Sequence, residues 1–133
     1  MINAQRAVPV DTARMARVAR GTIRRLRIRC AGTITVTCID ARRMRTLNRR
    51  FRRHDWVTDV LSFRYDREPV VGEILIAPSE AQAYAKQHGA SYTEELSRYV
   101  VHGLLHWRGH EDRTARQRRQ MRRLEDRLLA HMR

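Results

Sequence analysis

Two histidines four residues apart, His102 and His106, stand in the segment 93–107 (TEELSRYVVHGLLHW). On a helix this spacing puts both imidazoles on one face, with β-carbons about 5–6 Å apart, close enough to share one metal ion. Gly109 follows three residues later and can end the helix in a left-handed conformation. A chain that turns there brings a third ligand back toward the histidines, and Asp112 has the best spacing for that role. The sequence therefore predicts one zinc ion held by His102, His106 and Asp112.

Two neighbours of Asp112 compete for the third ligand position. His110 continues the four-residue series, but along a straight helix it would lie about 12 Å from His102, too far for one ion. It serves only if the chain bends sharply at Gly109, and Asp112 is then better placed. Glu111 is the remaining alternative.

The same spacing of two histidines, a glycine and a third ligand occurs in the metzincin proteases. Those enzymes have a glutamate directly after the first histidine as the general base, whereas this chain has Gly103 there. A peptidase is therefore the weakest hypothesis. A metal-dependent hydrolase of another class tolerates the missing base. Zinc lowers the pKa of bound water toward about 7, and the hydroxide so formed can itself be the nucleophile.

The helix that carries the histidines is predicted to be central and buried. Apolar residues nearly surround it and leave a gap only at His102 and His106. The apolar positions are Leu96, Tyr99, Val100, Val101, Leu104, Leu105 and Trp107.

Periodicity and turn residues predict the other elements. Alternating apolar runs favour strands at 33–39, 56–63 and 70–77, with a hairpin-like turn at 64–69 and a weaker strand near Ile2. Helical patterns favour helices at 11–28, 40–50, 78–88 and 113–132, the last with Met121, Leu124 and Leu128 inward. In the first of these helices the inward stripe is predicted at Ala13, Ala16, Val18, Ile23 and Leu26. Together they predict a single α/β (α+β) domain over 1–133, with a small mixed sheet of about four strands packed with about five helices.

The charge balance is strongly basic. The chain has 28 Lys and Arg residues against 14 Asp and Glu, a net charge of +14. A field of this size attracts polyanions, so RNA is the expected partner, with the arginine-rich segments 11–29 and 113–133 as its contact surfaces. No stretch approaches the roughly 20 apolar residues of a membrane span. The first ten residues lack the pattern of a signal peptide, so we expect a cytoplasmic protein without a membrane partner.

Several ordered motifs carry a resemblance to a known family. Residues 102–112 (HGLLHWRGHED) are similar to H-G-x-L-H-x-x-G-x-D-H, with Asp112 at the place of the final histidine. Residues 58–63 (TDVLSF) match T-[DN]-V-L-S-F, and residues 72–74 (GEI) stand where the pattern has G-D-I. Asn48, Arg52 and Asp55 fit N-x3-R-x2-D, whereas Arg64 departs from a usual proline. In this order, from about residue 34 to 128, the chain resembles the YbeY family of bacterial ribosomal-RNA maturation factors.

The resemblance implies a metal-requiring, single-strand-specific endoribonuclease. Such proteins act with the ribosomal small subunit, in 16S rRNA 3′-end maturation and in ribosome quality control. It further implies that Arg52 contacts the phosphate, so the catalytic residues would be Arg52, His102 and His106. The alternative is a ribosome-associated assembly factor with a structural zinc site and no hydrolase activity. Three protein ligands leave a coordination position open, which favours catalysis.

Overall fold

The computed structural model describes residues 1–29, 31–52 and 59–132. For Arg52 it describes the backbone only. The described residues form four strands and five helices, which confirms the predicted mixed α/β class. In chain order they are β1 (Ile2–Asn3), α1 (Thr12–Arg25), β2 (Thr33–Cys38), α2 (Ala41–Arg52), β3 (Val60–Arg64), β4 (Val70–Ile76), α3 (Pro78–His88), α4 (Tyr92–Arg108) and α5 (Ala115–Ala130).

The four strands form one mixed sheet in the order β1-β2-β4-β3. β2 runs parallel to both β1 and β4, whereas β3 runs antiparallel to β4. The antiparallel pair is the predicted hairpin, with Val60 opposite Ile76 and Arg64 opposite Gly72. The described part of its first strand begins at Val60, and positions 56–58 of the predicted strand lie outside the described residues.

The two faces of the sheet pack against hydrophobic clusters of different size. Ile74 and Ile76 of β4 point into the larger core, together with buried residues of α1, α4 and α5. Leu75, between them, points into a smaller cluster that includes Met44 of α2. Alternate residues of a strand face opposite sides of its sheet, which is why one strand serves both clusters.

Helix α4 is the central helix, as its composition predicts. It contacts α1, α3, α5, β3 and β4, and its apolar residues are buried on nearly every side. Its start is capped by Ser91, whose hydroxyl accepts from the backbone N–H of Glu94 at 3.2 Å. Its end is the left-handed Gly109, at φ 114°, as expected from the sequence.

Gly103 lets α4 lie directly on the sheet. A Cβ atom added at this position would overlap the Cγ2 atom of Ile74 and lie 3.2 Å from a methyl carbon of Val60. The carbonyl oxygen of Gly103 accepts a hydrogen bond from the Ser62 hydroxyl at 3.0 Å. The backbone next to His102 is therefore fixed against β3 and β4.

The inward stripe of α1 matches the prediction in part. Val18 is buried, and Ile23 and Leu26 pack partly buried against the larger core, as predicted. Ala13 is exposed instead, and the other buried residues of the helix are Met15 and Thr22. Thr22 can be buried because its hydroxyl donates to the carbonyl oxygen of Val18 at 2.8 Å, which a count of apolar residues does not register. A second, smaller difference concerns α2, which ends at Arg52 instead of about position 50, so Arg52 is the last residue of the helix.

Candidate metal centre

The two histidines of α4 lie side by side at one surface of the helix. Their ring centroids are 4.5 Å apart, with the ring planes at 77°. After Gly109 the chain reverses, and the N–H of His110 donates to the carbonyl oxygen of Leu105 at 3.0 Å. This closure of the helix end returns residue 112 to the histidine face.

The structure brings His102, His106 and Asp112 together in one group. Their potential ligand atoms all lie within 4.8 Å of one another. The Oδ2 atom of Asp112 is 3.2 Å from Nε2 of His106 and 3.4 Å from Nε2 of His102. Ligands bound at about 2.0–2.2 Å around a tetrahedral ion lie about 3.3–3.6 Å apart. The two distances from Asp112 to the histidines therefore suit a single zinc ion.

The two alternative third ligands point elsewhere. Within the described part of the chain, His110 and Glu111 are not members of the ligand group. They line a separate cavity with Gln117 and Gln120 of α5. The geometry therefore favours Asp112 for the third position.

Glu125 of α5 holds His102 in place. Its Oε2 atom accepts a hydrogen bond from Nδ1 of His102 at 2.6 Å, and its side chain is only 5% exposed. Its other oxygen accepts from Arg98 at 2.9 Å. Because a carboxylate only accepts, Nδ1 of His102 carries the proton and Nε2 is left free to bind a metal ion. Metal-ligating histidines usually donate their second N–H in this way, to a carboxylate or a carbonyl.

Burial and the neighbouring charges shift the pKa of His102 in opposite directions. Burial lowers the pKa of this imidazole, whereas the hydrogen bond to Glu125 and the charges of Glu125, Asp59 and Asp112 raise it, and the net direction is upward. A metal ion binds only the neutral ring, so it must compete with the proton that these acids favour.

A cavity of about 260 Å³ adjoins the ligand group and is lined by His102 and Asp112. The side chains of the three potential ligands are 22% (His102), 29% (His106) and 36% (Asp112) exposed, so the site is accessible from outside. The other lining residues are Asp59, Tyr84, Glu95, Arg98, Tyr99, Arg118, Met121, Arg122 and Glu125. The cavity therefore provides space next to two of the three potential ligands, His102 and Asp112.

Gly103 has a packing reason for lacking a side chain. The general base of a metzincin would start from a Cβ atom at this position, where the side chain of Ile74 already lies. The residue after the first histidine therefore cannot supply a carboxylate unless Ile74 or α4 is displaced.

The proposed phosphate-binding residue, Arg52, ends α2. Its side chain lies outside the described residues, as do Asp55 and Thr58 of the same motifs. The structure therefore places the backbone of Arg52 but not its guanidinium.

Glu125 is the site residue that the sequence patterns missed. It lies four residues after Met121 and three before Leu128, on the buried stripe of α5. A carboxylate on such a stripe requires a partner, and this signal alone would have singled it out. Tyr84, which lines the cavity, carries no comparable local signal, and Asp59 is marked only as part of the TDVLSF motif.

A family profile and curated relatives with the same description match this chain. The profile of the family described as "Endoribonuclease YbeY" matches residues 1–133. The endoribonuclease YbeY of Thermobifida fusca is 32% identical over 134 residues, which cover 92% of this chain and 86% of that protein. The protein of the same description from Thermodesulfovibrio yellowstonii is 35% identical over 105 residues, covering 74% of this chain and 66% of the relative. With the Myxococcus xanthus relative the identity is 36% over 103 residues, and the match spans 35% of that longer protein.

The fold is also shared with a solved structure. The solution structure of a Thermotoga maritima protein superposes with a TM-score of 0.60 at 23% sequence identity, over 98% of this chain and 89% of that one. The profile match along the whole chain and the relatives above 30% identity then decide the family. This chain belongs to the YbeY family.

Proposed function

We propose that this protein is a zinc-dependent endoribonuclease that cleaves single-stranded RNA. The observation that carries the proposal is the group of His102, His106 and Asp112, whose ligand atoms gather beside an open cavity. Two imidazole nitrogens and one carboxylate oxygen form a donor set that suits zinc and leaves one coordination position for water or substrate.

Glu125 and Asp112 have different roles at this site. When bound, a zinc ion supplies Lewis acidity, which polarises a phosphoryl oxygen and acidifies water. Glu125 keeps Nε2 of His102 directed at the ligand group through its hydrogen bond to Nδ1. The carboxylate of Asp112 adds a negative charge that a third histidine would not, so water at this site is less acidic than in an all-histidine site.

Arg52 is proposed as the phosphate-contacting residue. It occupies the arginine position of the N-x3-R-x2-D pattern, at the end of α2. A guanidinium keeps its charge and grips a phosphate through two parallel hydrogen bonds. If it contacts the transition state more strongly than the ground state, it accelerates the reaction and does not merely bind RNA.

The surface charge supports RNA as the substrate. The net charge is +14, and the arginines of the outer faces of α1 and α5 are exposed. Such a field draws in an RNA chain and orients it without reading its sequence. Among the described residues, no helix combines the length and the apolar character that a membrane crossing requires.

The finer role that we propose is in the cytoplasm, on rRNA of the small ribosomal subunit. It comprises 16S rRNA 3′-end maturation and ribosome quality control, with one zinc ion in a domain over residues 1–133. Support comes from the family motifs and from the names of the relatives, each called endoribonuclease YbeY.

Cleavage assays on two polymer classes test this proposal. Purified protein is incubated with labelled single-stranded RNA and, separately, with casein, each with and without a chelator and with zinc restored. We expect RNA cleavage that stops with chelator and returns with zinc, and no cleavage of casein. Zinc-loaded protein that binds RNA without cutting it would instead support an assembly factor with a structural metal. Casein cleavage would point to a peptidase despite Gly103.

A further inference from the structure

Two aromatic rings of α3 form a stacked pair near the metal centre. The rings of Tyr84 and His88 lie 4.0 Å apart between centroids, with their planes at 20°. The Nδ1 atom of His88 donates to the carbonyl oxygen of Tyr84 at 3.0 Å, which fixes the imidazole in its stacked position. The pair is thus a preformed flat surface on the outside of a helix.

One ring of this pair, that of Tyr84, lies at the cavity beside the ligand group. Tyr84 lines the cavity together with His102 and Asp112, and it is 36% exposed. A group that rests on Tyr84 inside the cavity would therefore share it with these two potential metal ligands.

We propose that Tyr84 is the stacking platform for one unpaired nucleobase next to the phosphate that is cut. This inference rests on the proposed function and deepens it, because it assigns single-strand selectivity to a residue. Unpaired bases stack on aromatic side chains, whereas a base inside a duplex has both faces covered by its neighbours. Only a single strand, or a frayed end, can present a free base face to Tyr84.

The charges of the cavity favour a base over a phosphate at this wall. Asp59 and Glu95 line the cavity along with Tyr84, and their carboxylates would repel a phosphate group. A base carries no charge, and the exocyclic amino groups of adenine, cytosine and guanine can donate hydrogen bonds to carboxylates. Arg118 and Arg122, in the same lining, provide cations for the flanking backbone.

Other exposed aromatic residues in the described part of the chain lack this setting. Phe51 packs edge-on against Phe63 and carries the guanidinium of Arg50 at 5.4 Å. Tyr65 is 42% exposed, and its hydroxyl donates to Glu73 at 3.0 Å, outside the cavity lining. Tyr65 therefore offers a matched control of the same residue type and similar exposure.

Fluorescence of 2-aminopurine tests the platform directly. Short single-stranded RNAs carry this base at successive positions and are mixed with zinc-loaded protein in a stopped-flow instrument, so that binding is read before cleavage. Four proteins are compared: wild type, Tyr84→Ala, Tyr84→Phe and Tyr65→Ala. Stacking quenches the fluorescence, so we expect quenching at one position in the wild type, in Tyr84→Phe and in Tyr65→Ala. For Tyr84→Ala we expect that quenching to disappear and RNA affinity to fall by about fivefold to a hundredfold.

The outcome distinguishes this inference from the function on which it rests. Zinc content is measured in all four proteins to show that the metal site is intact. If the wild type cuts single-stranded RNA while Tyr84→Ala retains its quenching and affinity, the platform is wrong and the nuclease stands. Equal losses in Tyr84→Ala and Tyr65→Ala would also overturn the platform. If the zinc-loaded wild type neither binds nor cuts RNA, both proposals fail together.

Discussion

The ligand group at the end of α4 and the arginine-rich faces of α1 and α5 are built in opposite ways. In the ligand group each side chain is placed by another, as Glu125 places His102 and as the turn at Gly109 places Asp112. The arginines of the two outer faces are exposed, and the field they create depends on their number more than on their exact positions. Removing one side chain should therefore destroy the ligand group, whereas removing one arginine should weaken the field of the basic surface only slightly.

Some arginines do have specific structural partners. Arg98 binds Glu125 and Asp126 at 2.9 and 2.7 Å, which joins α4 to α5 beside the ligand group. Arg64, at the place of the family's usual proline, stacks 4.5 Å over the ring of Trp107 and donates to its carbonyl oxygen at 3.1 Å. These residues stabilise the helix that carries the histidines, so they are poor choices for testing the charge of the surface.

The largest expected effect comes from removing a metal ligand. His106→Ala should abolish RNA cleavage, since two ligands do not retain the ion. His110→Ala, four residues on, should cleave RNA like the wild type, because its side chain lies outside the ligand group. Initial rates on single-stranded RNA, at one zinc concentration that saturates the wild type, measure both. Equal activity in the two variants would contradict the site.

Next in size is the loss of Arg52. Arg52→Ala should lower the single-turnover cleavage rate by about 10²–10³, the usual cost of one donor to a developing oxyanion. Arg52→Lys should recover only part of the rate, because an ammonium cannot form the paired hydrogen bonds of a guanidinium. The control is Arg50→Ala, an exposed neighbour on the same helix. If both alanine variants lose the same small amount with zinc intact, Arg52 is only part of the basic surface.

Glu125→Gln should weaken zinc binding by about ten- to a hundredfold, because it removes the charge that orients and polarises His102. Asp126→Asn is its matched control, since both acids bind Arg98 but only Glu125 contacts the histidine. Competition with a fluorescent zinc chelator gives both affinities. Similar losses in the two variants would show that the pairing with Arg98 matters and the contact to His102 does not.

The smallest effects belong to the arginine surface. Arg119→Gln and Arg123→Gln, both exposed on α5, should each weaken RNA binding modestly and reduce the log-log salt slope by about one unit. The wild type should show a slope of several units. Fluorescence anisotropy over a salt series provides these slopes, and a flat response in the wild type would count against electrostatic RNA binding.

Local sequence signals were sufficient for the part of the site that lies within one stretch of chain. His102, His106, Gly109 and Asp112 span eleven residues, and helical spacing plus one turn brings them together. The burial of α4 followed from its apolar composition for the same reason. Short-range geometry is what periodicity encodes.

Contacts between segments that are distant in the sequence could not be predicted from local patterns. Glu125 reaches His102 across 23 residues, and Tyr84 reaches the cavity from a separate helix. The order of the strands, with β2 beside β4, depends likewise on long-range packing. Arg52 is a different case: seven arginines lie between positions 42 and 53, so only the family motif singles it out.

Metal analysis of the purified protein is the most direct test of the proposed zinc site. Zinc per chain is measured by mass spectrometry in the wild type and in His102→Ala and His106→Ala, after dialysis against the same buffer. The proposed site predicts about one zinc ion per chain in the wild type and nearly none in either variant. Zinc content that is unchanged in both variants would contradict it.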